Sequence, residues 1–246
     1  MSDDSGRMVG SVARALALLD ALAEGPAGVN ALARRLGVNP SSASRLLATL
    51  EQGGLVEREP GGPYRLGLHI LALADRVLSR LDVREPARAQ LRVLVEQTGE
   101  TATLSVPDGD QAVTVDFVPG GGTVVSMARL GRPSIGHATA AGKIVLAFAP
   151  VEPGSLDVYT ERTITDPAQL AAELAAVRAQ GWAEAEEERE PDLNALAAPV
   201  VGRGGLLVAV LGLQGPAARF TAERRRAVLP ALLAAATTVS RSLGGT

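Results

Sequence analysis

The chain has 246 residues, 46 % of them hydrophobic and 21 % charged, with a formal net charge of −3; this is the balance of a folded protein of one or two domains and excludes a disordered or collagen-like chain. It has no cysteine, two histidines (His69 and His137), three Phe, two Tyr and one Trp, which excludes disulfides, thiol nucleophiles and Cys-type metal centres and leaves too few rings for an RNA-stacking platform. Residues 1–80 carry nine Arg and eight acidic residues, a net of +1, against −4 for the remainder, so any DNA binding must come from local placement rather than a polybasic surface.

The first segment, MSDDSGRMVGSV, is polar and acidic and does not read as a secretory signal. No stretch reaches about 18 uninterrupted apolar residues, so no membrane span is expected and the location expected is cytoplasmic. Val12, Leu16, Leu19 and Leu22 share helical spacing, which predicts a helix over 12–24, stopped by Gly25-Pro26. A second helix is predicted over 29–36, ended by Gly37. A third begins at Asn39-Pro40, a good N-cap followed by a residue suited to the first helical position, and runs to about Gln52.

Helix, three-residue turn, helix is helix-turn-helix spacing. Ala33 is the small residue for the crossing, Gly37 permits the turn, and Val38 plugs it into the core. Ala43, Leu46, Leu47 and Leu50 form one face of the third helix. Ser41, Ser42, Arg45 and Thr49 form another, with Ser44 beside it; short hydroxyls can approach phosphates and base edges, and arginine can read guanine in a bidentate way. Two short strands follow, over 55–58 and 64–66, around a Pro/Gly turn. A hairpin in this place is the wing of a winged helix, and Arg58, Tyr64 and Arg65 become candidate backbone or minor-groove contacts. A further helix over 68–81 has apolar Leu68, Leu71, Ala72 and Leu78 and is expected to link the halves and to offer a dimer contact.

Beyond it, an amphipathic helix is predicted over 84–97. Strands are predicted over 101–106, 112–118 and 123–127, joined by Asp108-Gly109 and a Gly120–Gly122 turn as an antiparallel meander. A helix over 138–148 and another over 167–180, capped by Asp166, come next. Strands over 183–186, 196–201 and 206–214 and a final helix over 221–243 complete an α+β domain around an antiparallel sheet. The acidic run Glu184, Glu186, Glu187, Glu188 and Glu190 has no histidine near it and reads as a solvated loop. Lys143 is the only lysine, a bias that, with abundant Ala, Gly and Pro, reads as G+C-rich coding. No Gly-x-Ser-x-Gly elbow or catalytic constellation is present, so no enzyme activity, metal or cofactor is expected.

The stretches SVARALALLDALAEG, LARRLGVNPSSASRLLATLEQGGLVER, YRLGLHILAL, HATAAGKIVLA, RAQGWAEAEEEREPDLNALAAPVVGRGG and VLGLQGPAARFT together resemble the IclR family of bacterial transcription regulators over essentially the whole chain. The resemblance implies a winged helix-turn-helix domain at 1–67, a linker helix at 68–82 and a GAF-like effector domain at 83–246. It implies a regulator bound to double-stranded DNA at a palindromic operator, as a homodimer or homotetramer, and a small-molecule effector. Carried over by position, the effector pocket involves Met127, Ala140, Ala141, Ala185, Leu193, Ala195, Gly212 and Gln214. Members that bind small carboxylates often have Asp at the position of Ala185, Cys at that of Ala195, and Ser at those of Gly212 and Gln214. With those side chains missing, a mostly apolar effector is expected, larger than a two- or three-carbon acid. Its anionic end would meet the backbone at Thr139–Ala141 and its body one amide, Gln214. The alternative is a constitutive DNA-binding protein whose second domain only oligomerises.

Overall fold

In the computed structural model, which describes residues 9–121 and 128–245, the chain divides into two units, Met1–Arg80 and Leu81–Thr246. The first unit opens with α1 (Gly10–Ala23), α2 (Val29–Leu36) and α3 (Pro40–Gln52). Gly37 takes φ 64°, the left-handed conformation that ends α2, and Val38 N–H donates to Ala33 O at 3.0 Å; a side chain there would be strained. Asn39 caps α3 by accepting the Ser42 N–H at 2.8 Å, with Pro40 in the first turn. Leu18, Leu22, Leu32, Leu47, Leu50 and Val56 pack as one core, and Ala33 and Ala43 are buried beside them.

Strands β1 (Val56–Arg58) and β2 (Tyr64–Leu66) pair antiparallel as the wing, and Ala27 bridges to Tyr64 from the other side. Helix α4 spans His69–Leu78, ending three residues before the predicted stop, and none of its residues is buried. Leu68 just before it, and Leu71, Leu73 and Val77 within it, are 50–72 % exposed.

The second unit is a six-stranded antiparallel sheet packed on helices. After α5 (Arg84–Thr98) come β3 (Thr101–Asp108), β4 (Gln111–Val118), β5 (Pro133–Ser134), α6 (Ala140–Phe148), α7 (Pro167–Gln180), β6 (Ala183–Glu186), β7 (Leu193–Val201), β8 (Leu207–Pro216) and α8 (Ala222–Ser242). The sheet order is β5-β4-β3-β8-β7-β6. The strand expected over 123–127 lies outside the described residues, as does Met127; among the described residues the place beside β4 is taken by β5, which is too short to show a sequence pattern. Helix α6 is the centre of one core. Seven of its nine residues are buried, and Ile144 and Val145 meet Leu170, Leu174 and Val177 of α7.

Candidate functional site

On α3 the residues divide as their spacing requires. Ala43, Leu47 and Leu50 are buried; Ser41, Ser44, Arg45 and Thr49 are exposed, and Ser42 is half-buried. Ser41 Oγ donates to Asn39 Oδ1 at 2.9 Å, and Thr49 Oγ1 donates to Arg45 O at 3.0 Å, so both hydroxyls are oriented by their own helix. The Arg45 side chain has no hydrogen-bond or ion-pair partner among the described residues.

The wing is less uniform. Tyr64 departs from the expectation of a DNA contact: it is 6 % exposed and belongs to the core, because alternation along β2 turns its ring inward. The Arg58 guanidinium sits 5.8 Å from the centre of that ring, so Tyr64 steadies a neighbouring cation. Arg65 is bound to Glu57 at 2.7 Å and Glu59 at 3.3 Å, which offsets its charge.

In the second unit a cavity of about 660 Å³ lies against one face of the sheet and the start of α6. Ala140, Ala141, Leu193, Ala195, Gly212 and Gln214 all line it, and Ala185 joins them. Register explains the grouping. Thr103 of β3 faces Gly212 of β8, Gln214 faces Ala195 of β7, and Ala195 faces Ala185 of β6. The residues therefore form two neighbouring rows on one face of the sheet.

The other part of that face was missed. Thr103, Ser105 and Thr114 line the cavity too, and all three are buried. Ser105 Oγ and Thr114 Oγ1 lie 3.4 Å apart, and either hydroxyl can donate to the other. This face of the sheet thus runs from hydroxyls on β4 and β3 to alanines on β7 and β6. Arg129, Arg132 and Arg189 also line the cavity. Arg132 is paired with Glu190, and Arg189 donates to Pro133 O at 3.0 Å. Burial, and then Arg132 beside it, hold the Arg189 guanidinium below the usual arginine range; a bound anion would offset the repulsion from Arg132. The lining is therefore more polar than the expectation of apolar contacts plus one amide.

The acidic run is not a solvated loop. Glu188 is 8 % exposed and receives Lys143 Nζ at 2.7 Å; the same ammonium donates to Glu173 at 3.0 Å and to Glu184 O at 2.9 Å. Lys143 is 1 % exposed, so the single lysine has all three donors committed inside the fold. Arg225 of α8, 2 % exposed, pairs with Glu184 at 2.9 Å and with Glu186. Burial pushes the Glu188 carboxyl above the usual carboxylate range, against the pull of Lys143. Solvation was the wrong expectation because the cations arrive from α6 and α8, far away in sequence.

A helix-turn-helix with a polar, exposed outer face, joined to a separate α+β unit with a cavity, defines a DNA-binding transcription regulator. The comparisons agree. Residues 75–241 match the bacterial transcriptional regulator IclR C-terminal domain, and residues 11–60 match the IclR helix-turn-helix domain. The HTH-type transcriptional regulator Rv1719 of Mycobacterium tuberculosis is 36 % identical over 96 % of this chain and 93 % of its own length. The Thermotoga maritima IclR structure is 30 % identical with a TM-score of 0.77, over 96 % of this chain and 99 % of that one. An IclR homolog from Microbacterium hydrocarbonoxydans complexed with 4-hydroxybenzoate shares the fold, with a TM-score of 0.80 at 22 % identity over 95 % of this chain and 99 % of that one. The chain belongs to the IclR family of bacterial transcription regulators. It is a DNA-binding regulator and not an enzyme, as its named relatives are. Among the described residues no helix is long and apolar enough to cross a membrane.

Proposed function

We propose that the protein is an operator-binding regulator of the cytoplasm whose DNA affinity is set by a small organic anion held in the second unit. The observation that carries the reading is the cavity of about 660 Å³, within the range of about 300–1,000 Å³ usual for small-molecule sites. The same fold holds 4-hydroxybenzoate in the Microbacterium protein, which supports this use of the space. The ligand's apolar body lies against Ala185, Leu193 and Ala195, and its negative charge is matched by Arg129 and Arg189. Such a body is larger than a two- or three-carbon acid.

On the DNA side, Ser41, Ser42, Ser44, Arg45 and Thr49 enter a major groove, with Arg58 and Arg65 of the wing on the backbone. One such unit makes few contacts, so specific binding requires at least a dimer and a palindromic operator. The exposed faces of α1 (Val12 and Leu16) and α4 (Leu71 and Val77) supply the contact. The test is direct. DNA selected by the protein from a random pool is titrated with it, with and without a panel of small acids. A shift of operator affinity by at least one acid is the expected result; operator binding indifferent to every acid that occupies the cavity would instead indicate a constitutive regulator.

A further inference from the structure

The two arginines of the wing stand in different surroundings. Arg58, the last residue of β1, is exposed, and among the described residues its guanidinium has no carboxylate partner. It lies 5.8 Å from the centre of the Tyr64 ring, which directs the cation without neutralising it. Arg65, in the middle of β2, is exposed as well. Two of its nitrogens, however, are engaged: Nε donates to Glu57 Oε1 at 2.7 Å and Nη1 to Glu59 Oε1 at 3.3 Å.

The hairpin itself builds the second arrangement. Glu57 and Arg65 are direct cross-strand partners, and side chains so placed on an antiparallel pair lie on one face. Glu59 follows β1 into the turn. There its N–H donates to Pro63 O at 2.8 Å and its carbonyl accepts the Gly62 N–H at 3.0 Å, and the closed turn leaves its carboxylate within reach of Arg65. The cluster therefore carries two negative charges and one positive, on the same short hairpin from which Arg58 projects free.

Exposed pairs of this kind contribute little to folding, so stability does not account for two carboxylates on one arginine. They do change what a phosphate meets. A phosphate approaching Arg65 competes with two carboxylates already bonded to the guanidinium, all within the screening length of about 10 Å at 0.1 M salt. A phosphate approaching Arg58 has no such competitor.

We propose that Glu57 and Glu59 withhold Arg65 from DNA, so that Arg58 is the working phosphate contact of the wing and the grip on DNA is set below what two free arginines would give. This rests on the reading above that lays the wing on the DNA backbone, and it divides the work between the two arginines. Phosphates are the same in every sequence. Holding them with fewer charges leaves more of the binding to the polar face of α3.

The experiment measures the dissociation constant of the full-length protein over a series of salt concentrations, for the selected operator and for an unrelated duplex of the same length. Arg58→Gln is expected to flatten the salt slope by about 0.9 for each wing on the DNA, the loss of one phosphate contact. Glu57→Gln with Glu59→Gln is expected to tighten binding to both duplexes and to steepen the slope by about 0.9 per wing. Most of that gain should disappear when Arg65→Gln is added, because freeing the guanidinium requires that it be there. Glu57→Gln alone, which removes the shorter contact, should give part of the gain, and thermal midpoints equal to that of the unmodified protein show that the wing still folds. If the two glutamines tighten binding equally with and without Arg65, the carboxylates act through overall charge and the assignment falls. Weaker binding would mean that they position Arg65 for a phosphate, the reverse of the proposal. A slope unmoved by Arg58→Gln overturns the role given to Arg58. Glutamines without effect, beside an Arg58→Gln that flattens the slope, overturn the assignment but leave the wing on DNA. No response to any of these variants removes the wing from DNA, and the assignment goes with that reading.

Discussion

Helices α4 and α6 are both apolar in composition, and the fold treats them in opposite ways. In α6 seven of nine residues are buried, and even its lysine is enclosed. In α4 none of ten is buried, and Leu71, Leu73 and Val77 stand in solvent. Helix α6 finds its partners within the chain, on α7 and the sheet. Helix α4 only half-buries Ile70, Ala74 and Leu78 and leaves Leu71, Leu73 and Val77 exposed, and an exposed apolar row is the kind of surface that makes contacts. The same kind of sequence thus means core in one unit and an exposed apolar face in the other.

The largest expected effect is at Lys143. Lys143→Met leaves Glu188 buried without its cation. Breaking a buried pair from one side costs about 3–5 kcal/mol. Urea unfolding followed by Trp182, the only tryptophan, should show the midpoint of the second unit falling by a corresponding amount. Adding Glu188→Gln should recover part of the loss, because the orphaned charge is then removed. Unchanged stability in Lys143→Met would mean that α6 does not depend on its enclosed ammonium.

Leu71→Glu is the opposite test. The site is 65 % exposed, so the stability of the folded chain should change by no more than about 0.5 kcal/mol. Assembly should change instead: sedimentation should show the dimer giving way to monomer, with loss of operator binding. A Leu71→Glu protein that remains dimeric would place the contact elsewhere.

The first unit was largely legible because its signals are local. Asn39-Pro40, Gly37 and the three-to-four spacing of α3 each fix structure within a few residues, and the helix bounds fall within two residues of expectation for α1, α2 and α3. The second unit was legible as elements but not as a site. Its cavity is built by register between strands distant in sequence, and its charges are neutralised from α6 and α8. One signal was available. Thr101, Thr103 and Ser105 alternate with Ala102 and Leu104 on a strand that is buried on both faces. Polar side chains every second residue on such a strand point to a polar interior surface. Tyr64 shows the converse error, since an aromatic beside two arginines looks like a DNA contact until strand alternation turns it inward.

Arg45 comes next in size. Its side chain is exposed and off the apolar face of α3, so Arg45→Ala should leave folding intact. If it reads a base edge, specific binding weakens by about 1–3 kcal/mol and discrimination relaxes at one position of each half-site. Footprinting on the selected operator measures both. A variant that protects the same bases at the same concentration removes Arg45 from recognition and leaves the serines of α3 to carry it.

The smallest effect is a pH slope, and it again sets the enclosed charges of α6 against the exposed face of α4. Burial raises the Glu188 carboxyl above its ordinary value of 4.5, and Lys143 only partly opposes this. Between the ordinary value and the raised one, the folded state binds more protons than the unfolded chain. Unfolding free energy therefore falls as pH rises through that window and levels off above the raised value. The ionised, buried carboxylate is a cost that is present at neutral pH and fades on mild acidification. Glu188→Gln cannot titrate, so the stability of the unmodified protein relative to this variant should fall as pH rises from 4.5 towards neutrality. Urea midpoints at several pH values, read from Trp182, give the slope. A difference independent of pH would show that Glu188 keeps an ordinary carboxyl and that Lys143 fully offsets its burial. The same series on Leu71→Glu, which keeps Glu188, should run parallel to that of the unmodified protein, because the substituted side chain is on an exposed face and adds only the ordinary titration of a glutamate.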